Sequence, residues 1–217
     1  MKQLFFFILL LVTIPAFAQW QSVKIDSAVS FQLPKGFERT KTNSENNFVA
    51  RTSFGTILVF KETDNPVVFP DIAKDKHLKK FYDHYVNRVR SSTADGKITQ
   101  EKDTLLGDLK VKDFTLEVDS GGGLQLRKFR ILHANNATYT FEFLSQELHK
   151  DYSAQESNQF FNSIKVKENI DRADQFNTSD EKKSGTNYTW FIVAGIILLI
   201  GLIIYFFYKK NNPKLPS

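Results

Sequence analysis

Residues 97–145, KITQEKDTLLGDLKVKDFTLEVDSGGGLQLRKFRILHANNATYTFEFLS, decide the fold. The segment divides into strand candidates at Lys97–Leu106, Leu109–Val118, Leu124–Ala134 and Ala137–Ser145. Between them lie residue types that accept positive φ in tight turns, at Gly107-Asp108, Asp119–Gly123 and Asn135-Asn136. In the last candidate Tyr139, Phe141 and Phe143 alternate with mostly polar residues, which predicts a strand buried on one face. Successive hairpins favour antiparallel pairing.

Outward from this segment, the pattern predicts two helices, Asp71–Ser91 and Asp151–Asn162. In the first helix, apolar residues recur every three or four positions from Leu78 onward, and Asp71 is placed to cap its start. The second helix has Tyr152 and Phe160 spaced along it. Shorter strands are expected at Val23–Ile25, Val29–Leu33, Phe37–Lys41, Phe48–Phe54, Thr56–Lys61 and Ile164–Val166. The fold class is therefore α+β, a mainly antiparallel sheet covered by two helices.

Both ends of the chain carry apolar segments. Residues 1–18 have a positive start, an apolar core of about eleven residues and a small-residue cleavage pattern, which predicts a signal peptide cleaved after Ala18. Residues 188–208 contain WFIVAGIILLIGLIIYFFY, uncharged and close to the ~20 residues that a helix needs to cross a bilayer. This run predicts a transmembrane helix flanked by aromatic residues.

These segments predict a single-span protein of the cell membrane. An extracytoplasmic (periplasmic) domain at residues 19–167 is followed by a flexible polar stalk at 168–187, the span, and a cytoplasmic tail at 209–217. Without the basic residues of the signal and tail, 25 basic residues face 24 acidic ones. This near-neutral balance argues against a nucleic-acid partner. The chain has no cysteine, so the domain is expected to rely on its hydrophobic core.

Three segments resemble the PsbP-like fold family of small exported domains. Phe31–Phe37 reads FQLPKGF, Tyr139–Phe143 reads YTFEF, and Phe160–Val166 reads FFNSIKV. They are similar to an early turn, an aromatic late strand and a closing helix-to-strand junction in that family. The resemblance covers about residues 19–166 and implies a fold. It carries over no catalytic, cofactor-binding or metal-binding residue, because family members differ in function.

The metal-ligating candidates are His77 and His84 with Asp75 and Asp83. A spacing of seven separates the histidines by roughly 10 Å along a helix, too far for one ion without a further element. We therefore predict no metal site, and no cofactor. His133 and His149 are isolated, and we expect structural or exposed roles for them.

Gly121-Gly122-Gly123 lacks the Gly-Lys-Ser/Thr of a phosphate loop and predicts a hairpin turn. Ser91, Ser92 and Ser120 lie in no nucleophile-elbow pattern. With no pairing of nucleophile and base to name, we expect a non-enzymatic domain. The first hypothesis is a membrane-tethered domain that binds another envelope protein or helps to assemble a complex. The alternative is a small-ligand or metal-binding sensor that uses a pocket between helix 71–91 and the sheet, with His77 or His84.

Overall fold

The structure is a computed structural model that describes residues 20–41, 45–65, 69–119 and 121–177. Four predicted segments lie outside these residues: the signal peptide, the part of the stalk beyond residue 177, the predicted transmembrane helix at 188–208 and the predicted tail at 209–217. Within the described ranges, no helix is both long enough and apolar enough to cross a bilayer.

Ten strands and two α-helices are described in these ranges. They are β1 (Trp20–Lys24), β2 (Val29–Pro34), β3 (Glu38–Lys41), β4 (Glu45–Arg51), β5 (Gly55–Thr63), α1 (Asp75–Ser91), β6 (Lys97–Leu106), β7 (Leu109–Asp119), β8 (Leu124–Ala134), β9 (Ala137–Gln146), α2 (Lys150–Ser163) and β10 (Lys165–Val166). Short 3₁₀-helices occupy Glu147–His149 and Ala173–Gln175.

The described strands form two antiparallel sheets. Seven strands pair in the order β3-β4-β5-β9-β8-β7-β6, and three pair in the order β1-β2-β10. The hairpin turns use positive φ where the sequence predicts it, for example at Asn135 and Asn136, which both have φ 53° between β8 and β9. The prediction of an α+β fold with mainly antiparallel strands and two helices is confirmed. The described strands form two sheets instead of the single sheet expected, because β2 packs on one face of the larger sheet and does not pair with its edge.

One face of the seven-stranded sheet packs against β2 and α2 through aromatic side chains. Phe31 of β2 makes edge-to-face contacts with Phe48, Phe141 and Phe160, at ring-centroid distances of 5.5, 5.8 and 6.4 Å. All four rings are at most 1 % exposed. Such pairs add to the free energy gained from apolar burial. We call this the aromatic face.

The other face of the sheet packs against α1 and the segment after β10. Its apolar part joins Leu78, Val86 and Val89 of α1 to Phe114 and Phe129, whose rings stack at 4.7 Å. The rest is polar: His133, Thr138, Thr140 and Glu142 are all buried there. We call this the α1 face.

Two local predictions differ from the structure. The first helix begins at Asp75, so Asp71 is not its cap, and Lys74 at the N-cap position makes no side-chain cap bond. Strand β9 is buried on both faces from Ala137 to Ser145, whereas alternation predicted one exposed face. The reason is tertiary, since α1 covers the polar side chains of β9 and gives Thr140 a partner in Tyr85.

Candidate functional site

The segment after β10 packs against the domain instead of beginning a flexible stalk at Glu168. We call residues 168–177 the strap. Its backbone pairs with the domain where Asn177 N donates to the Ile72 carbonyl at 3.0 Å and Asn135 N donates to the Asp174 carbonyl at 2.8 Å. Ile72 N in turn donates to Asn177 Oδ1 at 2.7 Å. The predicted stalk boundary is therefore wrong for residues 168–177, because these contacts hold the strap across the β8–β9 turn.

The side chain of Gln175, one of the strap residues, is fully buried. Its Oε1 accepts a hydrogen bond from Lys110 N at 2.8 Å. Its Nε2 donates to the carbonyls of Lys110 and His133 at 2.8 and 2.9 Å. These backbone groups lie on β7 and β8, so a side-chain carboxamide completes the hydrogen bonding of two strands.

His133 lies directly beside this carboxamide and is fully buried. Its Nδ1 is 3.0 Å from the Gln175 carbonyl oxygen, and its Nε2 is 2.9 Å from Asp64 Oδ2. The ring stacks on Phe69 at 5.2 Å. His133 therefore has a structural role, connecting β8, the end of β5 and the strap.

The hydroxyl of Tyr82 extends the same network from α1. It donates to the Lys110 carbonyl at 2.9 Å and accepts from His133 N at 3.0 Å. Burial raises the pKa of Tyr82, so the hydroxyl keeps the proton that it donates. The α1 helix, the strap and two strand ends are thus joined by directional bonds.

Three charged side chains, Arg127, Glu142 and Lys112, are buried elsewhere on the α1 face. Arg127 Nε donates to Glu142 Oε1 at 2.6 Å and its Nη2 donates to Oε2 at 3.1 Å, with the Glu142 side chain 2 % exposed. Burial alone would lower the pKa of Arg127, but the charge of Glu142 outweighs burial and raises it. Lys112 Nζ lies 2.6 Å from Asp103 and 3.1 Å from Glu101. These contacts pair the buried Arg127, Glu142 and Lys112 with partners of opposite charge.

The opposite end of the sheet exposes apolar side chains. The turn between β4 and β5 presents Phe54, whose ring stacks on Tyr152 at 5.3 Å and lies 5.9 Å from His149. Leu148 is 81 % exposed, Tyr152 66 %, Leu124 39 % and Phe54 38 %. Leu124 begins β8 beside the end of β9, where Gln125 pairs with Gln146. We define the distal patch as Phe54, Leu124, Leu148, His149 and Tyr152. The length of β5, about 27 Å at ~3.3 Å per residue, separates this patch from the strap.

The turn that carries Phe54 is held in place by α2 and β9. Glu156 Oε1 accepts from Ser53 N at 2.9 Å, and Oε2 accepts from Phe54 N at 3.1 Å. Gly55 follows, and a Cβ at this position would lie 2.5 Å from the Phe143 ring. The turn is thus tied at one side and pressed against the sheet at the other, so the patch is a preorganised surface.

The distal patch was not predicted from the sequence. Tyr152 is spaced along the second helix with Phe160, but the buried residues of α2 are Ser153, Ser157 and Phe160. A stripe of small serines packs α2 closely onto the sheet and turns Tyr152 outward. The signal was available in the spacing of 153, 157 and 160, which follows one helix face.

The candidate metal ligands do not come together. Asp75 pairs with Lys110 at 2.8 Å and also contacts Arg172, while Asp83 pairs with Lys79 at 2.7 Å. His77 Nδ1 is 3.4 Å from Ala73 N at the start of α1, and His84 is exposed. Among the described side chains, no group of three or more histidines and carboxylates is placed to hold a metal ion.

Gly121–Gly123 form a turn between β7 and β8, as the sequence predicts. Gly121 and Gly123 have φ of 77° and 106°, and Gly121 N donates to Asp119 Oδ1 at 2.9 Å. The strands on either side pair in antiparallel register from Asp119 and Leu124 onward. No helix N-terminus follows, so the arrangement is that of a hairpin and not of a phosphate loop.

Comparison with known proteins identifies the fold. The solution structure of cyanobacterial PsbP (CyanoP) from Synechocystis superposes with a TM-score of 0.50 at 12 % identity, over 71 % of this chain and 96 % of that one. The described part of the chain therefore has a PsbP-like fold, and the resemblance noted in the sequence is confirmed at that level.

Two further solved structures are similar at lower scores. LpqN of Mycobacterium tuberculosis, described as involved in cell envelope biogenesis, has a TM-score of 0.42 at 11 % identity over 68 % of this chain and 90 % of that one. The Ran-binding protein Mog1p of Saccharomyces cerevisiae has a TM-score of 0.42 at 9 % identity over 74 % of this chain and all of that one. No sequence-family model matches the chain, and no curated protein matches it in sequence.

Proposed function

We propose that this protein is a non-enzymatic, membrane-tethered extracytoplasmic domain that binds another envelope protein through the distal patch. The observation that carries the proposal is the position of the patch, at the end of the sheet opposite the strap. The chain continues from the strap toward the apolar run at 190–208. A tether there holds the strap end near the bilayer and directs the patch away from it.

The composition of the patch favours a protein partner. Tyr152, Phe54 and Leu148 supply an apolar centre, and Glu147, Lys150 and Asp151 surround it with exposed charges of both signs. Interfaces between proteins combine an apolar, aromatic-rich centre with a polar rim. Binding to an anionic lipid surface would instead favour an excess of lysine and arginine around the apolar residues.

The rigidity of the patch supports the same conclusion. Glu156 fixes the turn, and the Phe54 and Tyr152 rings restrict each other by stacking. Less conformational entropy is then lost when a partner binds. A few such anchors supply most of the binding free energy in typical interfaces. The fold alone leaves the activity open, since one fold hosts many functions.

In-cell photo-crosslinking tests the docking surface. A photoreactive phenylalanine derivative replaces Tyr152 in one strain and Leu105 in another. Leu105 is a matched control because it is 62 % exposed on β6, away from the patch. We expect a discrete protein adduct from position 152 and none of that mass from position 105. Introducing Leu148→Ser should reduce the adduct about tenfold, the loss expected when an interfacial anchor is truncated.

The matched variant Leu105→Ser should leave the adduct from position 152 unchanged. Equal adducts from both positions, or an adduct that Leu148→Ser does not reduce, would count against the patch. An adduct with lipid only would replace the protein partner with a membrane surface.

Protease protection tests the tether and orientation separately. We expect protease added to spheroplasts to remove the domain from full-length protein, while the tail stays protected by the membrane. A domain that resists protease in intact spheroplasts, or a full-length chain recovered in the soluble fraction, would overturn the topology.

The sensor alternative predicts a different result. Thermal unfolding of the full chain in detergent would shift when divalent metal ions are added if His77 or His84 formed a site. The pairing of Asp75 and Asp83 with lysines favours unchanged unfolding temperatures.

A further inference from the structure

The strap has one fully buried side chain, that of Gln175. Of residues 168–177, Gln175 alone is buried, and Ile170 and Phe176 are half-buried. The strap contributes no strand to either sheet, and only an isolated bridge joins Asn177 to Ile72. The strap is therefore held by localised contacts: the hydrogen bonds of the Gln175 carboxamide, the paired bonds between Asn177 and Ile72, and the ion pair of Arg172 with Asp75.

The site that Gln175 fills is specific for a carboxamide. Lys110 N and the Arg172 guanidinium donate to Oε1, and two carbonyl oxygens accept from Nε2. A carboxylate in this position would direct its second oxygen at both carbonyls. An apolar group would remove the partner of Lys110 N and one partner of each carbonyl, although the Lys110 carbonyl would keep its bond from the Tyr82 hydroxyl. We therefore expect replacement of Gln175 to weaken closure of the strap.

Segments with few apolar contacts and localised hydrogen bonds open at lower free energy than the core of a domain. We propose that the strap opens and closes as one unit while the sheets stay folded, and that the hydrogen bonds of the Gln175 carboxamide stabilise the closed state. When the strap is closed, the tether begins at residue 177. When it is open, the tether begins at residue 167 and gains ten residues.

This inference rests on the proposed membrane tether for its consequence but not for its test. Ten extended residues span up to roughly 33–36 Å, so opening would let the distal patch reach that much further from the bilayer. Tension on the chain from the membrane side acts first on the strap, because the strap is the part of the domain closest to the tether in sequence. Strap opening would thus set how far the patch can extend.

Hydrogen exchange of the full chain in detergent micelles measures opening directly. Four amides report on the strap: Ile72, Lys110, Asn135 and Asn177 donate to it or from it. We expect these four to exchange at a common protection level, faster than amides of the β5–β9 ladder. A strap that opens only with global unfolding would give all of them the protection of the ladder and would overturn the proposal.

The variant Gln175→Glu tests whether the Gln175 carboxamide stabilises the closed strap. It should speed exchange of the four strap amides by at least about tenfold, and leave the ladder amides unchanged, because it removes a hydrogen bond and buries an unpaired oxygen. Glu168→Gln is the matched control, since it exchanges the same two functional groups at an exposed strap position. It should change nothing.

A second variant keeps the proposal testable if Gln175→Glu destabilises the whole domain. Asn177→Ala removes the bond to Ile72 N and should speed the same four amides without exposing the ladder. Unequal effects on the four amides would show that the strap frays from its end instead of opening as a unit. Membrane fractionation of the same strains reports on the tether independently, so loss of attachment and failure of strap opening are distinguishable.

Discussion

The two faces of the seven-stranded sheet combine apolar packing and polar bonding in different proportions. Strand β9 contributes to both, since Phe141 points to the aromatic face and Glu142, the next residue, points to the α1 face. Phe141 is surrounded by rings, including Phe31 at 5.8 Å and Phe160 at 6.3 Å. Glu142 is paired with Arg127. Phe141 and Glu142 are thus almost equally buried, but apolar packing, which has no preferred direction, surrounds Phe141, whereas directional bonds to a charged partner hold Glu142.

The two faces should therefore tolerate different kinds of substitution. Packing depends on volume, so a shape-conserving apolar change is mild on the aromatic face. Hydrogen-bonded ion pairs depend on the identity of each partner, so even an isosteric change is costly on the α1 face. β2 and α2 pack on the sheet through clustered rings, whereas α1 combines an apolar stripe with hydrogen-bonded polar groups, and the strap is attached mainly through polar groups.

The largest expected effect is on the aromatic face. Phe141→Ala should lower the free energy of unfolding by about 4 kcal/mol, because it removes a buried ring and leaves a cavity. Phe141→Leu should cost less than about 1.5 kcal/mol. Urea denaturation of the full chain in micelles, followed by circular dichroism, measures both. Similar losses for the two variants would contradict a face held by volume.

At Glu142, on the opposite face, we expect even a substitution of equal size to be costly. Glu142→Gln should lower the free energy of unfolding by about 3 kcal/mol despite equal size, because it leaves the buried Arg127 charge uncompensated. Replacing both partners, as Arg127→Met with Glu142→Leu, should recover most of that loss. The same urea denaturation measures the cycle. If the double variant is no more stable than Glu142→Gln, the pair contributes more than it costs to bury.

A smaller, pH-dependent effect is expected where the three-stranded sheet meets the larger one. Asp26 Oδ2 accepts from Lys61 Nζ and from the Tyr139 hydroxyl, both at 2.6 Å. Burial raises the pKa of Asp26, but these hydrogen bonds outweigh burial and hold it below its ordinary value. The stabilisation is therefore complete above the unfolded-state pKa and is lost as the pH falls through the lower folded-state pKa.

Asp26→Asn tests this dependence. At pH 7 the variant should be less stable than the natural chain by about 2 kcal/mol, the contribution of hydrogen bonds to a charged group. Thermal unfolding between about pH 2 and pH 7 should show the difference shrinking as the medium becomes more acidic. A difference that stays constant with pH would assign it to local packing and not to the carboxylate.

Much of the fold could be predicted from local pattern. The four strands from Lys97 to Gln146 and their turns follow from alternation and from residues that accept positive φ. The helix stripe from Leu78 to Val89 follows from 3.6-residue periodicity. These features are local, because each depends on neighbouring residues and backbone geometry alone.

The site could not be predicted in the same way. Nothing near Gln175 in the sequence marks it as buried, because its partners are backbone groups of β7 and β8 some 40–65 positions away. Tyr152 looked like a core residue by spacing, and only the packing of Ser153 and Ser157 turned it outward. Polar residues are assigned to the surface by pattern, and tertiary contacts reverse that assignment when each finds a partner.

By itself, the sequence determined the α+β class, the hairpin order and the apolar runs at the two ends, since these follow from periodicity, turn chemistry and length. The tertiary structure alone decided that β2 packs on one face of the larger sheet, that β9 is buried on both faces, and that the chain stays attached to the domain through residue 177. Those features depend on contacts between residues far apart in the chain. Their free energies are gained only when the whole domain brings the partners together.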